Sequence, residues 1–244
     1  MSSDAVSGET AASGRVLAVI LGRAGSRGLP GKNARLLAGR PVVSYTIDHA
    51  LAAECVDRVI VSTDGEAIAL AARDMGVEVI TRPMELANDT ATVDDAARHA
   101  VTASGDAAEV IVILYANVPV RPEGLIDRAV SLLRDTGADS VQSYADVGKY
   151  HPYWMVRLDE AGRVSPHVEN TIYRRQDLPP LFIPDGGVIA VTRGSLMQKV
   201  VGQPHAFLGA DRRGIQHAAG AVVDIDSVQD FAVAESMLAS RVAS

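Results

Sequence analysis

The chain contains 244 residues, of which 48% are hydrophobic and 22% charged, and its formal net charge is −7. This composition predicts a globular protein with a packed core and excludes a chain that is disordered throughout. The negative charge and the lack of any run of Lys and Arg argue against a nucleic-acid partner, because affinity for a phosphate backbone depends on clustered cations.

Cysteine usage and hydropathy predict where the protein works. Cys55 is the only cysteine, so no intrachain disulfide can form, and a reducing, cytoplasmic compartment is expected. No apolar run approaches the roughly 20 residues that a membrane helix needs, so no membrane partner is expected. Residues 1–14 are small and polar, without the features of a signal peptide, and are expected to form a disordered tail.

Apolar runs and helical segments alternate along residues 15–139. The predicted strands are 16–21, 58–63, 77–81 and 110–114, and the predicted helices are 42–53, 66–75, 93–104 and 122–136. This alternation predicts an α/β fold with a doubly wound, mostly parallel sheet. Ligands bind beyond the carboxyl ends of such strands, so the loops after Leu21, Thr63, Thr81 and Leu114 are expected to line the site.

The pattern changes at residue 140. Residues 140–195 carry an aromatic cluster, YHPYW, and short extended runs at 155–158 and 188–192, which predict a small inserted lobe. Residues 196–244 are expected to return to the α/β domain through a strand at 222–225 and a closing helix at 228–239.

The loop after the first strand has a composition suited to a triphosphate. Residues 21–33 include four glycines and three cations, which let backbone N–H groups approach phosphate oxygens and neutralise their charge. Neither the Walker spacing nor the dinucleotide G-x-G-x-x-G spacing is present. A flexible basic turn is the alternative interpretation.

Two further groups of residues suit phosphate chemistry. In a strand, Asp224 and Asp226 would point to one face, where carboxylates could hold magnesium, although Asp226 with Ser227 could instead cap the last helix. Arg82 follows the third predicted strand and could bind a phosphate or a base carbonyl, or form a salt bridge with Glu85 or Asp89.

Seven segments in chain order are recognisable together: RAGSRGLPGKN (23–33), VSTDGEAIA (61–69), RPMELANDTAT (82–92), VPVR (118–121), YHPYW (150–154), RRQDLP (174–179) and VDIDSVQDF (223–231). Over residues 16–238 they resemble the acylneuraminate cytidylyltransferase family, which makes CMP-sialic acid and related CMP-nonulosonic acids. The resemblance implies a fold of the nucleotide-diphospho-sugar transferase type, transfer of CMP from CTP to an acidic nine-carbon sugar, and a homodimer joined by the inserted lobe.

The resemblance also implies residue roles. The nucleotide would contact Arg23, Gly25, Ser26, Arg27, Lys32, Asn33, Arg82 and Ala91. Magnesium would be held by Asp224 and Asp226, and Lys32, Arg23 and Asp226 would be catalytic. The sugar would lie near Arg175, which is expected to bind its carboxylate, and near Tyr115, Asp185 and Trp154.

The sequence departs from the family pattern in the sugar half. Where the family commonly has Q-P-T-S-P-L-R, this chain has YANVPVR, which places Tyr115 at the position of a Gln. Where the family has N-G-A-I-Y, the chain has DGGVI, so that Asp185 replaces an amide and could pair with Arg175. Alternatives are therefore a nucleotidyltransferase for a ketooctonic acid or a sugar phosphate, and a nucleotide-binding protein with weakened catalysis. A nicotinamide reductase would share the alternating pattern, but its glycine spacing and its Tyr-x-x-x-Lys pair are absent from this sequence.

Overall fold

The structure is a computed structural model that describes residues 14–26 and 28–242, with side chains described as far as residue 240. Residues 1–13 of the predicted tail lie outside the described residues, as does Arg27 of the glycine-rich loop. Within the described part, no helix is both long enough and apolar enough to cross a bilayer.

Strands and helices alternate through most of the chain. The strands are β1 (Val16–Leu21), β2 (Leu36–Leu37), β3 (Arg40–Pro41), β4 (Arg58–Thr63), β5 (Glu78–Thr81), β6 (Val110–Tyr115), β7 (Ser140–Asp146), β8 (Val156–Leu158), β9 (Val164–Pro166), β10 (Phe182–Thr192) and β11 (Arg212–His217). The helices are α1 (Val42–Leu51), α2 (Glu66–Asp74), α3 (Val93–Ala103), α4 (Leu125–Thr136), α5 (Arg193–Met197) and α6 (Val228–Val242).

The central sheet has seven strands in the order β11-β7-β10-β6-β1-β4-β5. The pairs β6-β1, β1-β4, β4-β5 and β11-β7 are parallel, whereas β10 is antiparallel to both of its neighbours. The sheet is therefore mostly parallel, and the predicted α/β fold class is confirmed.

The burial of β1 explains why its residues form a continuous apolar run in the sequence. Val16, Ala18 and Ile20 pack into the core on one face of the sheet, whereas Leu17 and Val19 pack into the core on the other face. Because helices cover both faces, neither alternate set of side chains in β1 reaches water. The strand is consequently buried along its whole length.

Most predicted boundaries agree with the structure within one or two residues, and the start of α4 is an exception. The predicted helix 122–136 begins only at Leu125, because Gly124 adopts a left-handed conformation with φ of 63°. A left-handed residue cannot continue a right-handed helix, so residues 122–124 form a turn before it.

The extended run predicted at 188–192 is present as the end of β10, where it pairs with β6 and β7 inside the central sheet. The strand predicted at 222–225 was wrong. The segment 222–225 is not a regular strand; it makes only an isolated antiparallel bridge between Val120 and Val223. The edge position is taken instead by β11, whose exposed polar residues gave no apolar signal in the sequence.

Residues between β7 and β10 contain a separate two-stranded sheet, formed by β8 and β9. The two ends of the predicted segment 140–195 therefore lie in the central sheet, and the small sheet lies between them. The division of the chain into 15–139, 140–195 and 196–244, with sugar binding and dimerisation assigned to the middle segment, stays a prediction.

Burial of β1 predicts a large effect of truncation there. Leu17 is 0% exposed, so Leu17→Ala is expected to lower the free energy of unfolding by about 3 kcal/mol through lost burial and a residual cavity. Leu70→Ala makes the same chemical change on α2, where the side chain is 55% exposed, and is expected to cost well under 1 kcal/mol. Urea unfolding of both variants tests this, and equal losses would contradict the two-sided core.

Candidate active site

The glycine-rich loop after β1 folds over the segment 224–226. Early in the loop, the Ala24 N–H donates to the Asp64 carboxylate at 2.8 Å. Further along, a Cβ added to Gly28 would collide with the backbone carbonyl oxygen of Asp226. A glycine is needed at that position because the two backbones approach too closely for any side chain.

The end of this loop carries Lys32 and Asn33 in a single 3-10 turn. The Lys32 ammonium lies 2.6 Å from the Asp226 carboxylate. Asn33 is 4% exposed; its side-chain N–H donates to the Arg23 carbonyl at 2.9 Å, and its Oδ1 has no hydrogen-bond partner among the described residues. Because buried polar atoms are nearly always paired, this oxygen is suited to accept a hydrogen bond from a ligand.

The segment 224–226 is fixed by its neighbours rather than by a strand ladder. Its Ile225 N–H donates to the Asn117 carbonyl at 2.9 Å, and the Asn117 amide donates to both the Asp224 carboxylate and the Ile225 carbonyl. At the start of α6, Asp230 accepts from the backbone N–H of Asp226 at 3.1 Å. The Ser227 hydroxyl caps the helix by accepting from the Asp230 N–H at 3.2 Å, whereas the Asp226 side chain pairs with Lys32.

The two carboxylates of this segment have different surroundings. Burial raises the pKa of Asp224 to about 6, the charge of Asp226 adds to this increase, and Lys32 and Arg121 oppose it. The Asp226 side chain is 75% exposed. Among residues 14–26 and 28–242, no group of three or more His, Cys, Asp or Glu residues is placed to hold a metal ion. Two carboxylates suit magnesium, which usually keeps waters and substrate phosphates as its other ligands.

A cavity of about 260 Å³ opens beside this loop at the carboxyl edge of the sheet. Its lining includes residues from three of the four predicted loops: Leu21, Arg23, Lys32, Asn33, Arg82, Leu86, Asn88, Asp89, Ala91, Thr92, Val93, Ala96, Tyr115 and Asn117. The structure thus brings together Arg23, Lys32, Asn33, Arg82 and Ala91, which the sequence analysis assigned to the nucleotide.

The arginines of this cavity are held in different ways. Arg82 is buried and donates to the Ser62 hydroxyl at 3.1 Å and the Ser62 carbonyl at 2.7 Å, so the described contacts include neither of the predicted salt bridges. Burial lowers the pKa of Arg82 to about 10, which still leaves the guanidinium charged at neutral pH. Arg23 pairs with Asp89 at 2.8 Å.

A second cavity, of about 380 Å³, lies on the other side of Tyr115. It is lined by Tyr115, Gln142, Ser143, Pro184, Asp185, Gly186, Val188, Ile189 and Asp224. Burial, with a smaller contribution from Asp224, raises the pKa of Tyr115 to about 12, so the phenol is expected to remain protonated. Tyr115 therefore lines both cavities, whereas Asp224 lines only the second.

Asp185 is held differently from the sequence expectation. Its Oδ1 accepts from the Ser143 hydroxyl at 2.6 Å and from the Gly187 N–H at 2.9 Å. Its Oδ2 lies 2.7 Å from Nε2 of His217 on β11. Among the described residues, the charged contact of Asp185 is therefore with His217 and not with Arg175, which is exposed in the lobe.

The lobe holds the remaining sugar-binding candidates. Trp154 donates from its indole N–H to the Ile172 carbonyl at 3.2 Å, which is a contact within the lobe. Trp154 and Arg175 are absent from the linings of both cavities described above.

The nucleotide-binding candidates Gly25 and Ser26 lie in the glycine-rich loop, where a Cβ on Gly25 would meet no other atom within 4 Å.

A buried arginine joins the parts of the site. Arg121 is 2% exposed and donates to the carbonyls of Tyr115 and Val118, to the Thr46 hydroxyl and to the Gly187 carbonyl. Burial lowers the pKa of Arg121 to about 9, and the charges of Asp224 and Asp185 oppose the decrease.

Several residues that fix the site were not predicted from the sequence: Arg121, Asn117, Ser143 and His217. Asn117 and Arg121 lie in the YANVPVR segment, so their proximity to the sheet edge was available as a signal. Ser143 and His217 had none, because their contact with Asp185 requires the pairing of β7, β10 and β11.

The raised pKa of Asp224 predicts a pH-dependent cost to stability. Because its pKa is higher in the folded state than in an unfolded chain, the folded state binds the proton more tightly, and this stabilising effect is lost as pH rises from about 4 through 6. Asp224→Asn removes the cost of ionisation. In EDTA, the variant is expected to gain about 2 kcal/mol over the unmodified protein between pH 4 and pH 8.

Urea unfolding at several pH values measures this gain. Asp74→Asn changes an exposed carboxylate at the end of α2 and should show no comparable pH-dependent gain. A difference between Asp224→Asn and the unmodified protein that stays constant from pH 4 to pH 8 would contradict the burial of an ionising Asp224.

Comparison with known proteins identifies relatives across most of the chain. A model of the family described as cytidylyltransferase matches residues 17–180. The N-acylneuraminate cytidylyltransferase of Streptococcus agalactiae serotype III is 31% identical over 218 residues, which cover 88% of this chain and 51% of that protein. The CMP-N,N'-diacetyllegionaminic acid synthase of Legionella pneumophila is 29% identical, covering 92% of this chain and 96% of that protein.

Solved structures agree on the fold. A CMP:2-keto-3-deoxy-manno-octonic acid synthetase complexed with CTP superposes with a TM-score of 0.70 at 18% identity, covering 93% of this chain and 99% of the other. This confirms the predicted nucleotide-diphospho-sugar transferase type of fold. The chain spans about half the length of the N-acylneuraminate cytidylyltransferase from Streptococcus. Because the family match extends over more than half of its residues, the chain belongs to the cytidylyltransferase family.

Proposed function

We propose that this protein transfers CMP from CTP to the anomeric hydroxyl of an acidic nine-carbon sugar and releases pyrophosphate. The observation that carries the proposal is that Lys32 lines the first cavity and Asp224 the second, while Asp226 pairs with Lys32 at the carboxyl edge of the sheet. The names of the relatives from Streptococcus and Legionella support a sugar of the sialic or legionaminic type.

CTP would occupy the cavity of about 260 Å³. The unpaired Oδ1 of Asn33 is an acceptor suited to the amino group of cytosine, and the buried Arg82 is a fixed donor for the base or a phosphate. Arg23, Lys32 and the backbone N–H groups around Gly25 and Ser26 would neutralise and orient the phosphates.

Asp224 and Asp226 would hold magnesium, and the chemistry of the pair fits this metal. Burial, with a smaller contribution from the charge of Asp226, makes the ionisation of Asp224 costly, and a bound cation would relieve that cost. When bound, magnesium supplies charge neutralisation at the α-phosphate and lowers the pKa of the attacking hydroxyl.

The sugar would occupy the cavity of about 380 Å³, which shares Tyr115 with the nucleotide cavity. In the reaction, a bond forms between the anomeric oxygen and the α-phosphorus, and the bond from that phosphorus to the bridging oxygen of pyrophosphate breaks. The hydroxyl proton passes to solvent, so no side-chain base is required. The two cavities would contribute mainly by positioning the reactants.

Asp226→Asn tests the proposed reaction. Release of pyrophosphate is measured with CTP, magnesium and, in parallel, N-acetylneuraminic acid, a diamino nonulosonic acid and the eight-carbon ketooctonic acid. One of the nine-carbon acids is expected to be turned over, and Asp226→Asn is expected to lower kcat by at least about 100-fold because charge stabilisation at the phosphate is lost.

The exposed variant Asp74→Asn is the matched control and should retain full activity. Turnover of the ketooctonic acid alone would replace the proposed acceptor. Tight binding of CTP without turnover of any acceptor would favour a nucleotide-binding protein with weakened catalysis.

We propose further that the protein is a cytoplasmic homodimer, in which the small sheet of β8 and β9 contacts the second copy. Leu158 pairs directly with Val164, and Val156 pairs with Pro166, so the four apolar side chains share one face. All four are exposed, and a two-stranded sheet is rarely stable without packing against another surface. A second copy of this sheet would cover that face.

Leu158→Asp places a charge on this apolar face, where Leu158 is 69% exposed, and is expected to shift the protein from dimer to monomer. Analytical ultracentrifugation measures the change. Val201→Asp introduces the same charge at a side chain that is 99% exposed outside the lobe, and should leave the dimer intact. A monomeric unmodified protein, or a dimer unaffected by Leu158→Asp, would refute the interface.

A further inference from the structure

Asp185 and Asp224 are the two acidic residues that line the second cavity. The Asp185 Oδ1 accepts from the Ser143 hydroxyl and the Gly187 N–H, and its Oδ2, which has no hydrogen-bond partner among the described residues, lies 2.7 Å from Nε2 of His217. The side chains of Asp185 and His217 are 9% and 11% exposed, so water screens their interaction only weakly. The carboxylate is therefore rigidly placed in the wall of the cavity.

The backbone next to Asp185 brings this wall close to the segment 224–226. Gly186 adopts φ of 76°, and a Cβ there would lie 3.3 Å from Asp224 Oδ2 and 3.1 Å from the Tyr115 ring. Asp185 and Asp224 both line the cavity, so a molecule that fills it would meet two carboxylates. Without a compensating cation, two carboxylates would repel an acidic sugar.

His217 is positioned to supply that compensation. It ends β11, the edge strand, with its Nε2 2.7 Å from Asp185 Oδ2, and a protonated ring at this distance would place a positive charge beside the Asp185 carboxylate. His217 is absent from the residues that line the cavity, so it would act on a bound molecule through Asp185. Neighbouring Gln216 is exposed on the same strand, with its side chain alternating to the other face.

We propose that His217 is a positioning residue that neutralises Asp185, so that Asp185 can accept a hydrogen bond from a hydroxyl or acylamino N–H group of the acceptor sugar. A carboxylate offers only acceptors, whereas an amide at this position would offer a donor as well. The cavity would thus select a sugar that presents a donor group here and keeps its own carboxylate elsewhere. This inference rests on the proposed transfer to an acidic sugar.

A double-mutant cycle on His217→Ala and Asp185→Asn tests the pair, with the acceptor sugar that the unmodified protein turns over. His217→Ala leaves the Asp185 charge uncompensated and is expected to raise the KM for the sugar on the order of tenfold, with the KM for CTP changed less than about twofold. Adding Asp185→Asn to His217→Ala removes the charge as well. The KM of the double variant for the sugar is expected to be no higher than that of the more impaired single variant.

Gln216→Ala is the matched control on β11 and should leave both KM values unchanged. The inference is overturned if the increases in the KM for the sugar of the two single variants multiply in the double variant. It is also overturned if His217→Ala does not raise the KM for the sugar, or raises the KM for CTP in parallel. If His217→Ala does not fold, as judged by its thermal melting, Asp185→Asn alone must raise the KM for the sugar without affecting CTP. Failure of the unmodified protein to turn over any acidic sugar would reject the proposed function itself.

Discussion

The buried guanidinium of Arg121 is the interaction on which the geometry of the site depends. It binds the carbonyls at the end of β6, a hydroxyl of α1 and a carbonyl of β10, three elements that are distant in the sequence. These contacts fix Tyr115, which forms part of both cavities, and the backbone beside Asp185. Removing a buried and fully bonded cation of this kind typically costs about 3–5 kcal/mol, because its partners would be left unsatisfied.

Local pairing of charges around the two cavities would help an acidic protein to accept the proposed anionic substrates. The chain carries a net charge of −7, yet the acids near the two cavities are balanced locally. Lys32 pairs with Asp226, Arg23 pairs with Asp89, and His217 pairs with Asp185. Asp224 has a pKa of about 6 despite Lys32 and Arg121, and it is the acid whose ionisation would gain most from a bound metal cation.

The position of β10 also shapes the site. It runs antiparallel between β6 and β7, so residues early in this strand reach the edge of the sheet where the parallel strands end. This brings Asp185 and Gly186 to the same edge as Tyr115 and Asp224. A fully parallel sheet would have placed these residues at the opposite edge.

The sequence by itself determined the parallel half of the fold and the nucleotide side of the candidate site. Apolar runs such as Val16–Leu21 predict buried strands because both of their faces are covered, and the glycine-rich loop follows the first of them directly. The local sequence pattern of strands and following loops was enough to place Arg23, Lys32, Asn33 and Arg82 at the carboxyl edge of the sheet. The resemblance of seven segments to a family named the expected chemistry.

Only the tertiary structure decided the sugar side. The polar edge strand β11 has no apolar pattern, and the segment 222–225 is shaped by contacts with the loop after β6 instead of a ladder. The pairing of Asp185 with His217, rather than with Arg175, depends on strands that meet across dozens of intervening residues. Long-range pairing of this kind follows from the packing of the whole sheet, because neither residue has a local preference for the other.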